Sequence, residues 1–340
     1  MQRVSAAGES LRLACDAMGT RFECVLFGAD QTRLRAAAEA AFAEIESLSA
    51  RWSYFASGSM VFRINREAAE RPVALDAETR DILRLALDVW RDSRSCFDIT
   101  IAPLMRHWGF RVAPLPERGE KSLLQAQEPL SERGATPAIW GSQHLLLEET
   151  ACTLAFAHPG IEIDLGAIAK GWAIDRAAEV LREAGVAAAL LHGGTSSVVA
   201  IGSPPHSPRG WPVRLGPFDG SPVVHLRDSA LGISAPHGRT ANIAGSSVGH
   251  VIDPRTGAPT GWAGGSTLPS PAREDSRDST FAACVHTSAA IADAWSTALL
   301  VRGSARGAAL PHGLATAVRL SDTWTYSDSF AQHLSPELAS

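Results

Sequence analysis

Apolar and polar positions alternate at strand spacing in some stretches of the chain and recur at helical spacing in others. Residues 11–28 alternate on either side of Met18-Gly19-Thr20, which predicts two strands meeting at that turn. Leu34, Ala38, Ala41, Ile45 and Leu48 recur three or four apart in an Ala-rich run and predict a helix over 30–50. The aromatic-rich run through Trp52, Tyr54 and Phe55 follows, then a short amphipathic segment ending near Asn65. Ile82, Leu85, Ala86, Val89 and Trp90, preceded by Asp76 and Glu78, predict a second helix over 76–93. The next apolar segment, from Phe97 to Leu104, is broken at Pro103. Residues 111–143 are rich in Pro, Gly and charge and read as a surface excursion with a short helix near 120–127.

Residues 145–147 and 152–156 read as a hairpin, and a third helix runs from near Gly166 to Glu183, closed by Gly185. Short strands are predicted over 186–191, 196–201, 211–215, 222–227, 231–234, 249–252 and 281–286. A last helix covers 287–301, with Thr287 or Ser288 as its cap, and two short strands close the chain. Long helices interspersed with many short strands give an α+β layout rather than strict βαβ alternation. No linker divides the sequence, so one domain over 1–340 is expected.

Composition narrows the function classes. The chain has 340 residues, 45% hydrophobic and 20% charged, with formal net charge −5 and no long basic run. Nucleic acid is excluded as a principal partner, because backbone phosphates need clustered Lys and Arg. No apolar run reaches the roughly 18–20 residues of a membrane-crossing helix. Residues 1–16 show neither a secretory signal nor a lipobox cysteine, so a cytoplasmic location is expected. Five scattered cysteines without CxxC spacing argue against a zinc site or disulfide framework.

Four segments carry candidate chemistry. In the last helix Asp293 stands in apolar surroundings, with Thr297 four residues on and on the same face. A carboxylate and a hydroxyl together suit a hard cation such as magnesium or calcium. A buried structural Asp, with Thr297 bonded back to a carbonyl, explains the same residues. Asp164-Leu165-Gly166-Ala167-Ile168-Ala169-Lys170-Gly171 sits at a strand-to-helix junction, where free N–H groups and Lys170 suit a phosphate. A helix capped by Asp164, with Lys170 in solvent, is the alternative there. Gly193-Gly194 follows a strand and permits close backbone approach, or is simply a tight turn. His250-Val251-Ile252-Asp253-Pro254-Arg255-Thr256-Gly257 joins a strand to a turn, and places His250 as an acid/base candidate or a structural histidine.

These segments, together with Met18-Gly19-Thr20 and Phe97-Asp98-Ile99 followed by Trp108-Gly109-Phe110, occur in one order. That order resembles the FAD:protein FMN transferase family, the ApbE-like flavin transferases, from about residue 16 to 305. The resemblance implies an α+β fold, T-fold-related, with antiparallel sheets and helices around a central FAD cleft. It implies magnesium-dependent transfer of FMN from FAD, the substrate, to a Thr or Ser hydroxyl of an acceptor protein, with AMP released. An FAD pyrophosphatase giving FMN and AMP, or a non-catalytic FAD-binding protein, is the alternative.

By position, the resemblance makes Asp293, Thr297 and the Ala167 carbonyl metal ligands. It makes Asp164, Lys170, Met18 and Ile252 contacts of FAD. It puts Phe55, or Tyr54, at the family's aromatic position. It puts Phe97, Asp98 and Ile99 in the adenosine pocket, and makes His250 or Asp293 the proton acceptor. The chain departs from the family at Gly193-Gly194-Thr195, where many members read Gly-Gly-Asp, and at His192, where they carry Asn. It departs again at Ser234-Ala235-Pro236, where Thr-Ser-Gly is usual.

Overall fold

The computed structural model describes residues 10–110, 139–216, 220–236, 240–243, 246–260 and 279–335. The short helix expected near 120–127 lies outside them.

The first strands, β1 (Ser10–Ala17) and β2 (Thr20–Phe27), form the expected hairpin. Helices α1 (Gln31–Arg51), α2 (Met60–Glu67) and α3 (Ala77–Asp92) start at Asp30, Ser59 and Asp76, each side chain accepting from a first-turn N–H. A small sheet takes β3 (Val73–Ala74), β4 (Leu145–Glu148) and β5 (Thr153–Phe156) in the order β3-β5-β4. Helix α4 (Ala102–His107) was not expected. Pro103 opens this helix instead of breaking the segment, because a first-turn proline lacks only an N–H that has no intrahelical partner.

The main sheet adds β6 (Ala188–Gly193), β7 (Ser197–Ile201), β10 (Ser229–Ser234), β15 (Ser279–His286), β16 (Ala315–Leu320) and β17 (Thr323–Tyr326). Its order is β1-β2-β6-β7-β10-β15-β16-β17, antiparallel throughout. Both faces are covered. Helices α1, α5 (Ala169–Glu183) and α6 (Ala289–Arg302) lie on one face. The hairpin of β8 (Trp211–Arg214) and β9 (Val223–Leu226), with α7 (Asp328–Ala331), brings Trp211, Leu226 and Phe330 onto the other. All five residues of β7 are buried, so this strand reads as a continuous apolar run without alternation. In α6, eleven of fourteen residues are buried, so its apolar pattern runs all round the helix. No helix among the described residues is long and apolar enough to cross a membrane.

Most boundaries shift by two residues or fewer from the sequence reading, and two differ by more. The strand expected over 249–252 is split between β12 (Ser246–Gly249), paired with β11 (Thr240–Ile243), and β13 (Ile252–Asp253), paired with β14 (Ala258–Pro259). His250 and Val251 lie between them. Asp253 makes the difference: its carboxylate accepts from the Arg255 N–H and guanidinium, and its carbonyl accepts from Gly257 N–H, folding the next residues back on themselves. Helix α5 starts at Ala169, not Gly166, because Asp164 Oδ1 accepts from Gly166 N–H at 2.8 Å and holds an Asx turn ahead of it.

Candidate functional site

One cross-strand row sets the position of α6. Residues Cys15, Phe22, Gly193, Ser197, Gly232, Cys284 and Thr316 are neighbours across seven strands. The small residues at its centre let the helices come close. A Cβ on Gly232 would overlap the Ala292 backbone and stand 2.5 Å from the Asp293 nitrogen. Ser197 stands beside Gly232 in the row. A Cβ on Gly171 would stand 2.7 Å from the Ala289 carbonyl carbon and 2.8 Å from Ala290 Cα, so the first turns of α5 and α6 meet backbone to backbone.

Each of these helices lends the other a carboxylate. Asp175 of α5 accepts from the Ser288 hydroxyl at 2.7 Å, Ala289 N–H at 2.7 Å and Ala290 N–H at 3.0 Å, all at the start of α6. Asp293 of α6 accepts from Gly171 N–H at 3.2 Å, at the start of α5. The first N–H groups of a helix have no intrahelical partners and carry partial positive charge, so a carboxylate satisfies both needs. Burial pushes both carboxyls above the ordinary carboxylate range. Lys170, Ser197 and Gly171 oppose this at Asp293, and Ala290, Ala289 and Ser288 oppose it at Asp175.

Asp293 Oδ2 also faces Lys170 Nζ at 3.5 Å, and Lys170 reaches the Gly166 carbonyl at 3.2 Å. These are long for charge-assisted bonds, which run about 2.7–2.9 Å. An ammonium thus already spans a turn carbonyl and a buried carboxylate. Thr297 adds a hydroxyl, with Oγ1 3.0 Å from Ser234 Oγ and 3.4 Å from the Asp293 carbonyl. Ser234 Oγ is also 2.8 Å from Ser296 Oγ, which donates to the Asp293 carbonyl at 2.8 Å. The Asp293 carboxylate, the Thr297 hydroxyl and the Gly166 carbonyl that Lys170 reaches are all oxygen donors, the type that fits a hard cation. Among the described residues no three His, Cys, Asp or Glu side chains cluster, so the set is not that of a thiolate or imidazole centre.

The other predicted residues fall into two groups. Asp164 N–H donates to the Ile99 carbonyl at 2.7 Å, joining the 97–101 segment to the 164–168 turn that holds Ala167. Phe97 and Ile99 are buried in the main core. Asp98 accepts four hydrogen bonds, two from Thr100 and two from Ser142, which tie the same segment to the start of β4. Met18, at φ 50° between β1 and β2, donates its N–H to Ser49 Oγ. The neighbouring Thr20 hydroxyl lies against Gly194, so these two turns share one end of the sheet.

Further from Asp293, Ile252 is buried with Leu104, Met105, Trp108 and Ala258. His250 follows Gly249, which packs on the Pro236 carbonyl two residues past Ser234. Phe55 is 55% exposed beside buried Tyr54, its ring 5.2 Å away at 85°. Tyr54 donates to Glu162 Oε2 at 2.6 Å, and Arg106 pairs with the same carboxylate through both terminal nitrogens.

Asp175, Ser197, Glu162 and Arg106 were not singled out in the sequence. For Asp175 a faint signal exists: aspartate is a poor helix former, yet it stands in the second turn of α5. Ser197 and Gly232 carry no local signal, because their role depends on strand register. Ser234 was singled out only as a departure, and it proves to be a hydrogen-bond partner of Thr297.

A carboxylate and a lysine meet at the first turn of a helix on an antiparallel α+β scaffold. The ApbE family's sequence profile matches residues 18–318, and the chain belongs to that family. It is similar to an FAD:protein FMN transferase of Klebsiella pneumoniae, 28% identical over 59% of this chain and 60% of that protein. One from Rhodobacter capsulatus is 28% identical over 71% of this chain and 45% of its own length. One from Escherichia coli K12 is 24% identical over 95% of this chain and 86% of its own length. The match therefore spans less than two thirds of the first two relatives. Among solved structures, the ApbE protein of Thermotoga maritima superposes with TM-score 0.75 at 22% identity, covering 96% of this chain and 99% of that one. The flavin transferase ApbE of Vibrio cholerae superposes with TM-score 0.72 at 23% identity, covering 96% of this chain and all of that one. Both share the fold.

Proposed function

We propose that this protein is a magnesium-dependent flavin transferase. It takes FAD and moves the FMN half to a Thr or Ser hydroxyl of an acceptor protein, releasing AMP. Family membership and the names of the relatives support the reaction class. The observation that carries the reading for this chain is Asp293: a buried carboxylate held by the first turn of α5 and Lys170, on a helix turn whose backbone carbonyl gathers the Ser296 and Thr297 hydroxyls. A buried cap alone needs neither a lysine on the carboxylate nor a threonine hydroxyl one turn along the same helix face.

Asp293, Thr297 and the Ala167 carbonyl would hold the cation. Bound there, magnesium supplies positive charge against the pyrophosphate and the departing AMP. Lys170 contributes a second positive charge, and the start of α5 contributes N–H groups. In the transfer, the acceptor oxygen forms a bond to the FMN phosphorus as the bond from that phosphorus to the AMP oxygen breaks. The acceptor's proton leaves to His250 or Asp293, and AMP carries away the leaving electron pair. Asp98 and Asp164 fix the two segments between which the adenosine half of FAD would lie.

The test is to incubate the protein with FAD, magnesium and an acceptor domain containing a flavinylation threonine, then separate the mixture on a denaturing gel. A fluorescent acceptor band is expected. Dark acceptor bands across a panel of such domains, with AMP released into solution, would replace transfer by hydrolysis. No AMP at all would leave an FAD-binding protein.

A further inference from the structure

Ser234 lies outside the carboxylate–lysine contact, yet its hydroxyl sits in the middle of a chain of hydrogen bonds. Ser296 Oγ is 2.8 Å from the Asp293 carbonyl, Ser234 Oγ is 2.8 Å from Ser296 Oγ, and Thr297 Oγ1 is 3.0 Å from Ser234 Oγ. The distances favour one direction along this chain. A carbonyl can only accept, so the single hydroxyl proton of Ser296 goes to Asp293. Ser296 is then an acceptor toward Ser234, whose own proton is used there. Ser234 in turn accepts, and the proton between it and Thr297 is that of Thr297.

The consequence concerns a hydroxyl that must serve as a metal ligand. Such a hydroxyl offers a lone pair to the cation and needs somewhere else to send its proton. The alternative acceptor for Thr297, the Asp293 carbonyl one turn back, is 3.4 Å away and already receives Ser296. Ser234 is the better acceptor by distance. Its place at the end of β10, two residues past Gly232, is fixed by the same close approach that seats α6 on the sheet.

We infer that Ser234, through a one-directional hydroxyl relay anchored by Ser296, is a positioning residue that orients Thr297 Oγ1 to offer its lone pairs to a hard cation. The inference rests on the reading of Thr297 as a cation ligand. It also gives a physical role to a position where the chain departs from the family's usual Thr-Ser-Gly: a hydroxyl is present at the first of the three residues, and that hydroxyl is the part the relay requires.

The test uses Mn2+ as a spectroscopic hard-cation probe, with the dissociation constant read from the free-ion EPR signal of the full-length protein. Ser234→Ala is expected to weaken Mn2+ binding about 10-fold, the lower end of the range for losing a partner that orients a metal ligand. Ser234→Thr restores the hydroxyl and is expected to bind within about twofold of wild type. Ser234→Val, with the shape of threonine but no hydroxyl, repeats the loss, which separates the hydroxyl from the volume it fills. The double variant Ser234→Ala with Thr297→Ala is expected to bind no more weakly than Thr297→Ala alone, because the relay acts only through Thr297. Losses that add in the double variant, or wild-type binding in both Ser234→Ala and Ser234→Val while Thr297→Ala is weak, overturn the relay and leave Thr297 as a ligand. Wild-type binding in Thr297→Ala overturns the ligand reading itself.

Discussion

Replacing Asp175 with alanine removes the acceptor that holds the start of α6. The structure sets the size of the effect. Two backbone N–H groups, of Ala289 and Ala290, and the Ser288 hydroxyl lose their partner together. Leaving a buried donor unpaired costs about 1–3 kcal/mol each, and losing a helix cap about 0.5–2 kcal/mol. Two effects reduce the sum. Asp175 is only half-buried, and an open cavity of about 320 Å³ lined by Asp175, Thr287 and Ser288 admits water to the freed groups. Removing the carboxylate also removes the burial that pushes its carboxyl above the ordinary range.

A net loss of about 2–3 kcal/mol follows, or a drop in thermal midpoint of about 3–4 °C for a chain of this size. Asp175→Asn keeps one acceptor oxygen and is expected to lose about half as much. The pH sign is fixed by the raised carboxyl. Its contribution to stability is complete below the unfolded value of 3.8 and is lost as pH rises through the higher folded value. The deficit of Asp175→Asn therefore narrows between pH 4 and neutrality. Differential scanning fluorimetry across that range reads both effects. A midpoint for Asp175→Ala within about 1 °C of wild type at every pH refutes the cross-capping argument.

Gly232→Ala places a Cβ into the Ala292 backbone, so α6 must lift from β10; a loss of about 1–3 kcal/mol is expected in thermal unfolding, with weaker Mn2+ binding alongside it. In Asp293→Asn the buried charge is gone. Because the Asp293 carboxyl is raised by burial, the metal-free variant is expected to gain on wild type as pH rises from 4 to 8. Magnesium at 100 times its dissociation constant is expected to stabilise wild type by about 2.7 kcal/mol and the variant by none, as read by thermal midpoints. Lys170→Ala is expected to weaken FAD binding, measured by quenching of flavin fluorescence, more than it alters the folding midpoint; unchanged FAD affinity removes the lysine from the pyrophosphate.

Local chemistry made much of this fold legible. The hairpin at Met18-Gly19, the helix starts at Asp30 and Asp76, and the Gly185 stop follow from residues that act within a turn of themselves. Asp293 and Thr297 were visible because a carboxylate in an apolar helix is costly without partners. Longer-range features were not legible. The cross-cap from Asp175 needs two helices 113 positions apart to meet, and the Gly193-Ser197-Gly232 row needs the register of β6, β7 and β10. Pro103 occupies a first-turn position, where the helix-breaking rule does not hold. At His250 a single strand was read where the Asp253 turn divides the pairing in two.

The proposed role of Asp293 in holding the cation at the scissile pyrophosphate is tested most directly by product stoichiometry. Wild type and Asp293→Ala would each be supplied with FAD and an acceptor domain over a magnesium titration, with AMP measured by chromatography and FMN attachment by intact-protein mass. The account predicts AMP and modified acceptor in equal amounts for wild type, both vanishing without magnesium and both absent from Asp293→Ala at every concentration. An Asp293→Ala variant that releases AMP and labels the acceptor at wild-type rate would contradict it.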